Sequence, residues 1–478
     1  MIQDIRSVAV AEVISRAVSI ITIPLLTRLL IPTEYGVYRS LLLAIGILSL
    51  HGYLNLHTIV RKRLSQVSHP ESQHLITTVL ITVIVLLGLA AGAIIVGSDA
   101  GIEIIPTASK DFINNNQILV FFLVISYPSY SVGLAILTGI QRFTAYAIIK
   151  SGTEILMLLS LLLLAFINNI SIPAVVSVLA VLRTLSSFII ISLISDELSL
   201  SFTFSPLIQQ IQSISIPLLP RVLIKRAETI GPDVVILTIF GPATYAAWSI
   251  LFTFDRVFQL IARPPKLILL PKLSEKVTQN EEVGRVLEQF YLLSSVLVLP
   301  IIVGGWLIGD KMVNFIFGSG YTLGKYTTAV VISAFGISVL TTSATQYYIA
   351  NDDSRYETIS GIAGGIIYGL LLFTGIYLQN ITIIGLGLVG SWLVRLIIGI
   401  EYQNRKSNMR FPSPVKIVKL GVALGMMSIA VLATQEYISS VPHLILVIAG
   451  GGSGYFIALF LLGFFRPQEI TQLYRDIY

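Results

Sequence analysis

Long apolar runs follow one another from residue 8 almost to the C-terminus, separated by short polar breaks. They predict helices over roughly 8–30, 39–60, 75–97, 117–139, 147–167, 174–195, 214–240, 243–268, 288–309, 326–349, 358–378, 383–401, 414–437 and 443–465. Each run is about 20 residues or more, the length of α-helix that crosses a bilayer. In hydrocarbon a chain must satisfy its own backbone hydrogen bonds, and a helix does so without a neighbour. Segments of about ten residues with alternating polarity, the mark of a transmembrane barrel, do not occur. Breakers sit at the ends: Pro32-Thr33-Glu34, Asn168-Asn169, Gly241-Pro242 and Pro442-His443. The expected fold is an all-α polytopic membrane protein with about fourteen transmembrane helices.

Composition sharpens this reading. Of 478 residues only 12% are charged and 55% are hydrophobic, and the mean hydropathy is +0.86. A soluble domain carries roughly 25% charged residues, so this chain lacks the polar surface to stay in water. No stretch is long enough for a folded soluble domain. The absence of cysteine excludes disulfides, thiolate metal sites and cysteine nucleophiles. The five histidines, His51, His57, His69, His74 and His443, show no metal-ligand spacing. The opening residues run straight into a long span and lack the short apolar core and small-residue site of a cleavable signal. A net charge of +6 would suggest nucleic acid in a soluble protein; here basic loops on one side of a bilayer account for it.

The basic residues distribute unevenly. With a cytoplasmic N-terminus, nineteen fall on the cytoplasmic side, Lys150 among them, and three, Lys110, Lys311 and Lys325, on the other. The asymmetry predicts both termini in the cytoplasm and a place in the cell (plasma or inner) membrane. The loop 196–213 is an exception, with Asp196, Glu197 and no Lys or Arg. Its stretch 205–213 predicts an interfacial helix joining two halves.

An internal repeat supports two halves. A constant offset of 210 pairs Arg16 with Arg226, Pro32 with Pro242, Tyr35 with Tyr245 and Tyr38 with Trp248. Both helices would run outward from the cytoplasm, a parallel repeat about an axis along the membrane normal, with a transport site between. Both are interrupted by proline: Pro24 in the first, Pro217, Pro220 and Pro232 in the seventh. The expected organisation is an N-lobe at 1–195, a cytoplasmic linker at 196–213, a C-lobe at 214–401, and a final helix pair with cytoplasmic tail at 402–478.

Charges inside the spans supply the candidate chemistry. Nine are basic: Arg16, Arg28, Arg39, Arg183, Arg221, Lys225, Arg226, Arg256 and Arg395. Five are acidic: Glu12, Glu154, Glu228, Asp233 and Asp255. Facing lipid, the cations would cost on the order of 25 kcal/mol together. Snorkelling suits Arg28, Arg39 and Arg395; the others need a wet cavity or an acidic partner. Local pairing competes, since Glu12–Arg16 and Lys225–Glu228 have helical spacing. Even after full pairing positive charge remains in excess, which points to an anionic ligand. Phosphate or pyrophosphate suits arginine, whose planar fork grips oxygens in pairs. Glu228, Asp233 and Asp255 are the candidates for coupling to H⁺ or Na⁺. No other cofactor, and no metal, is expected.

The stretch Arg28-Leu-Leu-Ile-Pro-Thr-Glu-Tyr-Gly-Val-Tyr38, with the span pattern after it, resembles the polysaccharide biosynthesis/O-antigen flippase family. That family belongs to the multidrug/oligosaccharidyl-lipid/polysaccharide exporter superfamily. The resemblance implies a MATE-like fold, with two six-helix lobes rocking around a cationic cavity and a last helix pair bordering a groove for a lipid tail. It implies a lipid-pyrophosphate-linked oligosaccharide as substrate, moved from inner to outer leaflet, and cavity roles for Arg16, Arg28, Arg39 and Arg226. The implied partners are this substrate, membrane lipid and a glycan polymerase or ligase, with the flippase itself a monomer. Two rivals stand beside it. A multidrug exporter of the same fold would favour an acidic cavity. A membrane polymerase or ligase would need a sizeable catalytic outer loop, and the longest, about 98–116, has no histidine. No Gly-rich phosphate loop is present, so nucleotide hydrolysis is not expected, and the chain reads as a transporter rather than an enzyme.

Overall fold

The computed structural model describes residues 2–48, 60, 64, 69–99, 107–168, 170–198, 216–279, 283–351, 353–407 and 413–464. All regular elements among the described residues are helical, and the chain divides into two compact units, residues 1–249 and 250–478. The first unit takes in the expected linker and seventh span as well as the first six. The interfacial helix expected at 205–213 lies outside the described residues.

The first unit contains α1 (Ile2–Leu29), α2 (Pro32–Leu48), α3 (His69–Asp99), α4 (Thr107–Asn115), α5 (Gln117–Gly139), α6 (Phe143–Phe166) and α7 (Ile172–Leu193). It ends in the first part of α8 (Ile216–Thr278). Local sequence sets the boundaries. Ser171 accepts from the Ala174 N–H at 3.4 Å and a proline follows in the first turn, which starts α7. Gln141 adopts a positive φ of 61°. The Arg142 N–H then returns to Leu137 O at 2.8 Å. A left-handed residue with such a return bond closes a helix, here α5. α4 lies in the loop before α5, where the hydropathy pattern predicts no element. α5 packs between α3 and α7, and α1 packs along α6. Their apolar faces recur every four residues, with Val79, Val83 and Leu87 meeting Val132, Ile136, Ile190 and Ile194.

α8 is 63 residues long but broken at Gly241, with φ 85° and ψ 172°. Glycine adopts such a conformation without strain. Trp248 Nε1 donates to Asp233 Oδ1 at 3.1 Å. In an unbroken helix those residues would lie about 22 Å apart, so the chain folds back on itself at Gly241.

The second unit holds the remainder of α8, then α9 (Gly284–Phe317), α10 (Lys325–Leu340), α11 (Thr342–Ala350), α12 (Ser354–Tyr377), α13 (Ile381–Ser407), α14 (Pro414–Thr434) and α15 (Val441–Leu461). α10 is the enclosed element, between α9 and α13, with α12 against α13. The last pair docks on α9: Tyr455 Oη donates to Val296 O at 2.9 Å. Large apolar side chains stay exposed on the outside, including Phe373 (70%), Ile429 (71%) and Phe460 (73%). Such surfaces suit lipid, not water.

Among the described residues, twelve segments are long and apolar enough to cross a membrane. Two places separate this number from the expected fourteen. Residues 226–260 count as one segment although they contain the Gly241 turn. Of the expected second span, 39–48 lie in α2, which has only 17 residues.

Candidate substrate-binding site

Among the described residues of the first unit, three centres gather charged side chains of the expected spans, apart from the Arg142–Glu197 pair at the foot of α6. The first joins α1 to α6. Glu12 accepts from Lys150 Nζ and, at 2.8 Å, from Tyr146 Oη. Lys150 also donates to Tyr146 Oη at 2.9 Å. Arg16, one turn above Glu12, holds its Nε 3.8 Å from Oε2. The Glu12–Arg16 pair is the one expected from the i, i+4 spacing. Lys150, left out of the cations counted within the spans on sequence grounds, lies inside α6, against Glu12. The side chains keep partial access, 19% for Arg16, 25% for Glu12 and 22% for Lys150.

The second centre joins α6 to α7. Arg183 Nη2 meets Glu154 Oε1 at 2.8 Å. Its guanidinium lies 4.1 Å from the Tyr130 ring centroid and 5.5 Å from that of Tyr127, both on α5. Beside it the Thr153 and Ser186 hydroxyls are 2.7 Å apart. The guanidinium is thus matched by one carboxylate and covered by rings.

The third centre brings together the repeated stretches. Asp233 accepts from Trp248 at 3.1 Å and from Tyr245 Oη at 3.5 Å. Arg39, half-buried on α2, lies within electrostatic reach of Asp233, Tyr35, Tyr38 and Tyr245. The repeat partners Tyr35 and Tyr245, both buried, therefore surround one cation. The approach is close: a Cβ on Gly36 would collide with Pro242 O, so only glycine fits. Tyr38 is also within reach of Arg183, which links this centre to the second.

Other sequence candidates have separate places. Arg226, half-buried, donates to Gly46 O on α2 at 3.2 Å. Arg28 ends α1 and is exposed. Glu228 is half-buried on α8. In the second unit, Arg256 and Asp255 are half-buried, and Asp255 accepts from Gln259 at 3.3 Å. Arg395 fills the space left by Gly364, donates to Gly361 O at 3.5 Å and stacks 4.9 Å from Trp392. The side chains of Arg221 and Lys225, and with them the expected Lys225–Glu228 pair, lie outside the described residues. Sequence reasoning missed Tyr146 and Tyr130, whose partners lie on other helices.

No curated protein matches the sequence. Among solved structures, the lipid II flippase MurJ in an inward closed conformation aligns with a TM-score of 0.73 at 12% identity, covering 94% of this chain and 97% of that one. An inward-facing multidrug resistance MATE family transporter of the MOP superfamily gives 0.59 at 11% identity, with 84% and 94% covered. A MOP superfamily transporter from Pyrococcus furiosus, described by the reverse polarity of its binding pocket, gives 0.54 at 11% identity, with 83% and 93% covered. At these identities the likeness establishes the fold. The family described as "Polysaccharide biosynthesis protein" matches residues 25–323, more than half of the chain. This multi-pass membrane protein therefore has the fold shared by MurJ and the MATE transporters and belongs to the polysaccharide biosynthesis protein family.

Proposed function

We propose that this protein moves an anionic lipid-(pyro)phosphate-linked oligosaccharide from the cytoplasmic to the outer leaflet, for assembly of a surface polysaccharide or glycoconjugate. The observation that carries the reading is the first centre, where two cations and a hydroxyl converge on one carboxylate. A charge left in hydrocarbon is costly, so a retained positive excess fits a ligand that brings negative charge. Membership of a polysaccharide biosynthesis family and the flippase fold support the lipid-linked sugar. The lobes 1–195 and 214–401 would rock in alternating access, driven by an H⁺ or Na⁺ gradient through Glu228, Asp233 or Asp255. In this reading both termini are cytoplasmic, the protein is a monomer in the cell membrane, and a glycan polymerase or ligase receives its product.

Reconstitution in liposomes tests the proposal, with a polyprenyl-diphosphate oligosaccharide bearing a fluorophore that an impermeant reductant bleaches. Bleaching of lipid from both leaflets, lost for the same saccharide on a neutral lipid, is the expected result. Equal movement of the neutral lipid, or transport of cationic drugs in its place, would overturn the proposal in favour of a multidrug exporter.

A further inference from the structure

The geometry points to an anion-binding centre formed by Lys150, Arg16 and the Tyr146 hydroxyl, in which the Glu12 carboxylate occupies the anion's place until a diphosphate displaces it. This inference rests on the anionic-lipid reading above and names the residues that receive the phosphate groups.

Glu12 presents two oxygens. Lys150 and the Tyr146 hydroxyl meet Oε1, and Arg16 faces Oε2. A phosphate oxygen can accept from the same donors, since lysine and arginine both bind carboxylate and phosphate through charge-assisted hydrogen bonds. Within this cluster two cations meet one carboxylate. A diphosphate, with more charge and more acceptor oxygens, fits the donors better.

Cover over the cation distinguishes this centre from the Arg183–Glu154 pair, whose carboxylate is as exposed, at 22%, as Lys150. Arg183 keeps only 12% of its side-chain surface and lies against two tyrosine rings. Arg16 and Lys150 keep 19% and 22%. Depth agrees as well. Lys150 lies seven residues beyond the start of α6, about 10 Å into the helix. In the proposed orientation that depth is reachable by a headgroup from the cytoplasmic leaflet without crossing the midplane. The displaced Glu12 stays one helix turn from Arg16 and competes for the cations afterwards. The centre therefore exchanges anions instead of trapping them, as a carrier requires.

The test uses the full-length protein in nanodiscs, titrated calorimetrically with inorganic pyrophosphate and with farnesyl diphosphate. Glu12→Gln should tighten binding of both probes about tenfold, because it removes the competing charge. Lys150→Met should weaken binding about tenfold or more, and Lys150→Arg should restore it. Opposite signs are the signature, since a purely structural network predicts that both neutral variants lose affinity or change nothing. If the wild type binds and Glu12→Gln fails to tighten, the inference falls while the substrate reading stands. If the wild type binds neither probe, both fall. A measurement independent of Glu12→Gln uses the cysteine-free background. Pyrophosphate at a concentration that saturates the weakened Lys150 variant, held there by Arg16 and the Tyr146 hydroxyl, should shield Lys150→Cys from a neutral thiol reagent, and equal labelling at that concentration would overturn the assignment.

Discussion

Two charge centres four residues apart on one helix have opposite designs. Glu154 on α6 meets Arg183 one to one, and Tyr130 and Tyr127 cover the guanidinium. Lys150, one turn earlier on α6, shares Glu12 with Arg16 and keeps partial access. The matched, covered pair resembles a buried ion pair that joins helices. The shared, accessible one resembles a ligand site. In a bilayer the cost of a charge is set by its partners. Stoichiometry and cover therefore separate structure from function better than the mere presence of arginine in a span.

The largest expected effect breaks the covered pair. Arg183→Ala leaves Glu154 without its ion-pair partner and should destabilise the protein by about 3–5 kcal/mol, seen as loss from the membrane or a lower Tm in detergent. Adding Glu154→Ala should recover much of that loss. A single variant present at normal levels but inactive would erase the contrast between the centres.

Next in size is the double variant Arg16→Gln, Arg226→Gln. It should accumulate normally yet lose transport. Each charge-assisted contact is worth about 1.5–3 kcal/mol, so transport should fall at least about tenfold. Normal transport by the double variant would remove the ligand reading of Arg16.

Replacing the ring over Arg183 should do less. Tyr130→Leu should lower stability by about 0.5–2 kcal/mol through the lost cation–π contact and leave pyrophosphate affinity almost unchanged. A drop in affinity larger than the drop in stability would show that the second centre also touches substrate.

Salt should have the smallest effect and sharpen the comparison furthest. Exposed charges are screened over about 8–10 Å at physiological ionic strength, covered ones much less. Raising salt should weaken pyrophosphate binding several-fold, while the Tm difference between wild type and Arg183→Ala stays constant.

Much of this was legible in the chain itself. Apolar runs of bilayer length imposed helices, because no other local structure satisfies the backbone in lipid. The repeat at offset 210 marked Tyr35, Tyr245, Tyr38 and Trp248, and the structure gathers the first three around Arg39, with Trp248 on the adjacent Asp233. The Glu12–Arg16 contact followed from helical spacing, since residues four apart share a face. Depth along each helix was also readable, because each residue adds about 1.5 Å.

Which way each charge faces was settled only by packing. Lys150 and Glu12 are separated by 138 positions, and nothing local to either tells that α1 lies along α6. Arg183 finds Glu154 and two tyrosines only because α5, α6 and α7 meet at that depth. Sequence periodicity gives a residue's angle about its own helix axis. The neighbour at that angle depends on how the apolar faces of all the helices close together, and that closure decided which cations are matched one to one and which share a carboxylate within reach of a ligand.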